Sequence, residues 1–184
     1  GIVNGTTNYI LSAMTRDGAD YAATLAEAQR LGYAEADPTG DVEGADAVNK
    51  CVILARLAFG VWLDPAEVPV AVPTLDPSAP PRRGITVVDA EAMAGAAALG
   101  FGLKLLARGR RLAGDATIEA SVLPTALPLA DPMARVSGVS GGISEMRILV
   151  PMGSTKLRSP LIASGSSAVM GAGMAVVFQM SLVR

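Results

Sequence analysis

The stretch from Gly32 to Lys50, GYAEADPTGDVEGADAVNK, carries five acidic side chains and ends on a lysine. Carboxylates at this density are typical of three features: a metal-binding loop, a solvated turn between helices, or a site for a cationic substrate group. The acids from Asp37 to Asp46 are spaced four, two and three residues apart. A calcium-binding loop instead needs oxygens at alternating positions around a central glycine. The spacing argues against a calcium loop and leaves the other two interpretations open.

Asp46 and Lys50 stand four residues apart, so on a helix they share one face. The simplest interpretation is an ordinary ion pair on the helix surface. Lys50 also directly precedes the apolar run Cys51 to Leu54, which places it at the border of a buried face. Burial and neighbouring carboxylates shift the proton affinity of a lysine in opposite directions, and a proton-transferring lysine depends on that balance. Spacing alone indicates a carboxylate–lysine site for a small amine-bearing substrate, with the surface ion pair as the alternative.

The composition excludes several other kinds of site. The 184 residues are 51% apolar and 17% charged, with a formal net charge of −2 and no histidine, so imidazole zinc sites and serine–histidine pairs are ruled out. The lack of a concentrated basic face argues against a nucleic-acid partner. A single cysteine, Cys51, allows no internal disulfide and fits a reducing compartment such as the cytoplasm.

Hydrophobic periodicity predicts three helices around the acidic stretch and one further along the chain. Thr7 or Asn8 is expected to cap a first helix that runs to about Met14, and Gly32 to end a second. A third helix follows the acids and ends at Gly60, with a buried face at Val48, Cys51, Val52, Ala55 and 57–59. A fourth is expected from Asp89 to about Leu99.

Strands are predicted around this last helix: a short one in ITVV, one through Leu103 to Ala107, and an edge strand in the proline-containing segment after residue 115. The 64–84 segment holds many prolines and is expected to be a loop with extended pieces. Helices and strands mix without regular alternation. The predicted fold class is therefore α+β, a mixed β-sheet with helices packed on one face.

The segment 159–183 contains no charged residue, which raises the possibility of a membrane span. Pro160, Gln179, three glycines and five serines make it a poor one. We expect a buried helix or sheet segment there and no membrane association.

Three segments together resemble the homoserine dehydrogenase family, specifically its catalytic and dimerisation domain. They are GIVNGTTNYILSAM at the start, EAQRLGYAEADPTGDVEGADAVNKCVILARLAFG around the acids, and GITVVDAEAMAGAAALGFGLKLLA further on. The resemblance covers roughly residues 1–140, and the second segment is its most specific part. It implies an NAD(P)-dependent oxidoreductase of threonine and methionine biosynthesis that interconverts L-homoserine and L-aspartate 4-semialdehyde.

The resemblance also implies a role for each site residue. Lys50 would transfer the proton at the substrate oxygen, Asp41 would orient substrate and lysine, and Gly5 would approach the nicotinamide. The remaining substrate-binding positions are Thr6, Tyr33, Glu35 and Asp46. For Lys104, a structural role is expected rather than a second catalytic one.

Two departures from the family pattern shape the expected domain organisation. GFGLKL at Gly100 is not the G-x-G-x-x-G fingerprint, and the family's N-terminal NAD(P)-binding domain has no counterpart here. After Ser140 the family's glycine-rich loop is not matched. We therefore expect a catalytic-domain fragment, inactive alone, with residues 1–140 as catalytic domain and 141–184 as a divergent segment of it. A homodimer is implied. The alternative is a non-catalytic amino-acid-binding or dimerisation module derived from this domain.

Overall fold

The computed structural model describes residues 2–72, 78, 80–112 and 117–138, and the backbone of 174–178. The helices are α1 (Gly5–Asp17), α2 (Tyr21–Arg30), α3 (Thr39–Val42), α4 (Ala45–Phe59) and α5 (Ala90–Ala98), with short 3₁₀ turns at Pro65–Glu67 and Gly84–Val87. The strands are β1 (Ala71–Val72), β2 (Arg82–Arg83), β3 (Phe101–Arg111), β4 (Ile118–Pro128) and β5 (Met174–Phe178).

Helix α1 begins earlier than expected because Asn4, not Thr7 or Asn8, is its N-cap. The Asn4 backbone is extended, and its side-chain oxygen accepts a hydrogen bond from the Thr7 backbone N–H at 2.8 Å. A side-chain acceptor at this position satisfies one of the backbone donors that a helix start leaves open. The helix continues to Asp17, where Gly18 closes it with a left-handed backbone.

Helix α4 confirms most of the predicted buried face and corrects one part of it. Val48, Cys51, Val52 and Ala55 are buried, and Gly60 ends the helix as predicted. Leu57, however, is 70% exposed. It follows Val48 by nine residues, which at 3.6 residues per turn places it about half a turn away from that face.

The α+β class is confirmed, but the mixed strand pairing expected for the sheet is not found among the described residues, where every strand pair is antiparallel. Strand β3 pairs with β4 along their full length, from Phe101 opposite Pro128 to Arg111 opposite Ile118. On its other side, the carboxyl-terminal half of β3 pairs with β5. Helices α1, α4 and α5 contact β3, and α4 also contacts β4.

The prediction of a short strand in ITVV is wrong, because Gly84–Val87 forms a 3₁₀ turn. Gly84 has φ +54°, a left-handed backbone that interrupts an extended chain. Of the uncharged segment 159–183, residues 159–173 and 179–183 lie outside the described part of the chain. The remaining residues, 174–178, form strand β5, which agrees with the expected sheet segment. Among the described residues, no helix has the length and apolar character to cross a bilayer.

The core lies between α1, α4 and the sheet and holds the two helix starts close together. Ile10, Leu11 and Met14 of α1 are fully buried, as are Cys51 of α4 and Val122 of β4. Burial of such side chains contributes about 1.5–3 kcal/mol each. This packing brings the amino end of α1 beside the amino end of α4.

Candidate active site

A cluster of four polar side chains forms where the amino ends of α1 and α4 meet. The Asn4 Nδ2 atom lies 2.6 Å from Asp41 Oδ1 and 2.9 Å from Asp46 Oδ2. The Lys50 Nζ atom lies 2.6 Å from the same Asp46 oxygen. The structure thus brings together three of the sequence-predicted residues, Asp41, Asp46 and Lys50, and adds Asn4.

The turn between α3 and α4 positions the two carboxylates. Asp41 lies in α3, and Gly44 then adopts φ +88° and starts α4 without a side-chain cap. Asp46 follows in the first turn of α4, where a carboxylate interacts favourably with the helix dipole.

Gly84 packs closely against the backbone of this turn. A Cβ atom on Gly84 would lie 2.2 Å from the Val42 carbonyl oxygen and 2.6 Å from the Glu43 carbonyl carbon. Only glycine permits such an approach of two backbones. The position of the turn that carries Asp41 and leads into Asp46 therefore depends on the 3₁₀ turn at Gly84.

Lys50 is held by one charged and one neutral acceptor. Besides Asp46, its Nζ atom donates to the Val3 carbonyl oxygen at 2.8 Å. The side chains of Lys50 and Asp46 keep 24% and 35% of their surface exposed. An ammonium group has three N–H donors, and two of them have partners among the described residues. The third can reach a substrate oxygen from the solvent-facing side.

Thr6 and Tyr33 are brought together next to this cluster. The Thr6 hydroxyl donates to the Tyr33 carbonyl oxygen at 2.6 Å and is buried. The Tyr33 ring packs on Tyr9 with centroids 4.9 Å apart and remains 41% exposed. Thr6 therefore joins the start of α1 to the turn after α2, and the Tyr33 ring remains accessible on that turn.

Glu35 is not part of the cluster in this structure. Glu35 is exposed, and its backbone carbonyl accepts a hydrogen bond from Gln29 Nε2 at 3.0 Å. Within the described part of the chain, its carboxylate makes no hydrogen bond or ion pair with Asn4, Asp41 or Lys50. Glu35 lies two residues beyond Tyr33, on the same turn, so the substrate-binding role predicted for it stays a prediction.

Gly5 is the first residue of α1 and is half-buried next to Asn4. Its cofactor-binding role is untested by this geometry. Dinucleotide pyrophosphate groups bind on parallel βαβ units, whereas the strand pairs described here are all antiparallel. The described residues therefore do not fit the main binding site of an NAD(P) cofactor.

Lys104 lies behind α1 in β3 and is 4% exposed. Its Nζ atom donates to Val136 O at 2.6 Å, Ser12 Oγ at 3.1 Å and Asn8 Oδ1 at 3.3 Å. No carboxylate lies within ion-pair distance among the described residues, and burial lowers the pKa of Lys104 from 10.5 to about 8. These contacts join α1 to β3 and to the loop after β4, in keeping with a structural role.

A small cavity adjoins the cluster on the side of α1. It is lined by the polar side chains of Asn4, Thr7 and Asn8 and by apolar groups of Val3, Ala47 and Leu105. It lies beside Asn4 rather than between Lys50 and Glu35. The four-residue cluster with Lys50, and not this cavity, therefore holds the chemistry-bearing groups.

Asn4 is the site residue that sequence reasoning missed. The sequence analysis expected the cap at Thr7 or Asn8 instead. Asparagine is among the preferred N-caps, so the cap itself was within reach of the sequence. The contact of Asn4 with the two carboxylates could not be predicted from the sequence, because Asp41 and Asp46 follow it by 37 and 42 residues.

Comparison with known proteins identifies the family of this chain. The family model described as homoserine dehydrogenase matches residues 1–149. The chain belongs to the homoserine dehydrogenase family. Homoserine dehydrogenase of Mycobacterium tuberculosis is 46% identical over 146 residues, which cover 78% of this chain and 30% of that protein. The Corynebacterium glutamicum enzyme is 46% identical over 140 residues, covering 74% and 29%.

Solved structures support the same assignment. Staphylococcus aureus homoserine dehydrogenase, at 38% identity and TM-score 0.64, covers 74% of this chain and 31% of that one. A hyperthermophilic archaeal homoserine dehydrogenase in complex with NADPH matches at 27% identity and TM-score 0.50, covering 75% and 34%. The chain thus spans about 30% of the length of the curated relatives that it matches.

Proposed function

We propose that this chain forms the substrate-binding and proton-transferring part of an NAD(P)-dependent enzyme that interconverts L-homoserine and L-aspartate 4-semialdehyde. The observation that carries the proposal is the contact of Lys50 Nζ with Asp46 Oδ2 at 2.6 Å beside Asp41. It supports the proposal because a lysine ammonium and two carboxylates share one half-exposed cluster. Family membership supplies the reaction to which these groups are suited.

The carboxylates would bind the α-ammonium group of the substrate. Within the described part, Asp41 Oδ2 and Asp46 Oδ1 have no hydrogen-bond partner, whereas the other oxygen of each is occupied. Two free carboxylate oxygens attract a cationic group and form charge-assisted hydrogen bonds with it. Thr6 of α1, together with Tyr33 and Glu35 of the turn after α2, would complete the pocket.

Lys50 would handle the proton at the reacting oxygen. When the aldehyde is reduced, its carbonyl oxygen gains negative charge and takes up a proton, and a positioned ammonium stabilises that charge and donates the proton. In the reverse direction the neutral amine accepts the proton from the alcohol. The Asp46 and Val3 contacts would hold Nζ in place through both steps.

The hydride is supplied by the nicotinamide when the cofactor is bound. Since the described residues do not form a dinucleotide site, the cofactor would be held mainly by a separate domain, with Gly5 approaching the ring. A relative in complex with NADPH favours NADP over NAD as the first cofactor to test.

The proposed organisation follows the sequence expectations. Residues 1–140 would be the catalytic domain and 141–184 a divergent segment of it, while the family match extends to residue 149. The protein would act in the cytoplasm as a homodimer.

A chimera tests the proposal. Residues 1–140 replace the matching segment of the C. glutamicum relative, which supplies the cofactor domain, and reduction of L-aspartate 4-semialdehyde is followed by NAD(P)H absorbance. The chimera should be active, and Lys50→Met should lower kcat by about 100-fold or more, because general acid–base catalysis contributes roughly that much.

Arg56→Gln is the matched control, since Arg56 is a basic residue on the exposed side of the same helix and contacts Gly60 and Trp62 outside the site. It should leave kcat unchanged. An active chimera that tolerates Lys50→Met would refute the catalytic role. A folded but inactive chimera, combined with L-homoserine binding by the chain, would favour the non-catalytic amino-acid-binding module.

A further inference from the structure

The side-chain amide of Asn4 links the two carboxylates of the site. Its Nδ2 atom lies 2.6 Å from Asp41 Oδ1 and 2.9 Å from Asp46 Oδ2, so each of its two N–H groups can serve one carboxylate. We propose that Asn4 is a positioning residue that sets the spacing of Asp41 and Asp46 so that together they receive the substrate ammonium. The inference deepens the proposed function and rests on it.

The orientation of the Asn4 amide follows from its neighbour Thr7. The Thr7 backbone N–H can only donate, so the amide atom 2.8 Å from it must be the oxygen. The Thr7 hydroxyl lies 3.0 Å from the same oxygen and donates to it as well. The NH₂ group must then point the other way, toward the carboxylates. Helix capping thereby fixes the direction in which Asn4 donates.

The Asn4 amide reduces the repulsion between the two carboxylates, because it donates a hydrogen bond to each. Two carboxylates that share one cation repel each other, and Lys50 contacts only Asp46. Asn4 supplies a hydrogen bond to Asp41 and a second one to Asp46 while being 6% exposed, so water competes poorly for these bonds. One oxygen on each acid remains available for the substrate, at a separation determined by the amide between them.

Capping and bridging can be separated by substitution. Serine at position 4 keeps an oxygen that can cap α1 but is too short to reach both acids. Aspartate at position 4 also caps well, yet it donates nothing and adds a third carboxylate. A purely structural cap would therefore tolerate both replacements, whereas a bridging amide would tolerate neither at neutral pH.

The experiment measures L-homoserine binding to the full 184-residue chain by isothermal titration calorimetry. Asn4→Ser should weaken binding by about tenfold to a hundredfold, since hydrogen bonds to charged groups are lost, with little change in Tm. Asn4→Asp should also weaken binding at neutral pH, because the amide donor to Asp41 and Asp46 is replaced by a third carboxylate that repels both.

The control is Asp20→Ser, the same kind of cap replacement at the start of α2, where the Asp20 side chain accepts from the Ala23 backbone N–H and the Asp20 carbonyl accepts from the Thr24 hydroxyl. It should bind L-homoserine as the unaltered chain does. Wild-type affinity in Asn4→Ser or in Asn4→Asp would overturn the positioning role while leaving the proposed function intact.

A measurement without ligand keeps the inference testable if the unaltered chain fails to bind L-homoserine, which would count against the proposed function. The side-chain amide signals of Asn4 in a ¹⁵N-resolved NMR spectrum should move in Asp41→Asn and in Asp46→Asn, because each replaces a charged acceptor. Amide signals that stay in place in both variants would show that no bridge exists and overturn the inference.

Discussion

Lys104 makes the stability of this protein depend on pH in a direction opposite to that of a lysine that gains a carboxylate partner on folding. It is 4% exposed, and burial lowers its pKa from 10.5 to about 8. Below about pH 8 both the folded and the unfolded chain hold the proton, and the folded chain bears the cost of a buried ammonium. Between the two pKa values the unfolded chain binds more protons, so the free energy of unfolding rises with pH.

The size of this effect follows from the two pKa values. At about 1.4 kcal/mol for each pH unit, the difference between 10.5 and about 8 corresponds to ~3 kcal/mol, reached fully only above the unfolded value. By about pH 9 the folded lysine is mostly neutral while the unfolded one is still charged, and about 1 kcal/mol of the increase should be visible.

Urea unfolding of the full chain and of Lys104→Met, at about pH 7 and about pH 9, measures this contribution. The difference between the two proteins should shift by about 1 kcal/mol in favour of the unaltered chain at the higher pH. This window also limits interference from Cys51, whose thiol pKa burial raises from 9.0 to about 11 and which therefore destabilises the fold above pH 9.0. Equal pH dependence in the two proteins would refute the account of Lys104 as a desolvated, unpaired cation.

Two further predictions concern the support of the site and its neighbouring thiol. Gly84→Ala should lower the free energy of unfolding, measured with urea, by about 2–4 kcal/mol, because a Cβ would clash with the backbone of residues 42–43. Gly60→Ala is the control: Gly60 has φ +76° and nothing within 4 Å of an added Cβ, so this change should cost only about 1 kcal/mol. Equal losses in the two variants would contradict the prediction. Cys51, buried and with a raised pKa, should resist alkylation at neutral pH until urea unfolds the chain; rapid labelling of the folded chain would contradict this.

Features that depend on neighbours along the chain were predictable from the sequence. The buried face of α4 follows from a local 3.6-residue period, and Gly32 and Gly60 end or follow helices because a left-handed backbone suits glycine. The contact of Asp46 with Lys50 follows from their i,i+4 spacing on one helix. The reaction was implied by a family motif rather than by any of these patterns.

Features that depend on how elements pack were decided by the tertiary structure. Glu35 stands within the acidic motif, yet it is exposed, and among the described residues its carboxylate makes no contact with Asn4, Asp41 or Lys50. Asn4 contacts Asp41 and Asp46, which follow it by 37 and 42 positions, and no helical or strand period relates residues that far apart. The low proton affinity of Lys104 likewise arises from burial between α1, β3 and the loop after β4. Spacing along a chain determines which side chains share a face, but distances across elements and the loss of solvent exist only once the core has formed.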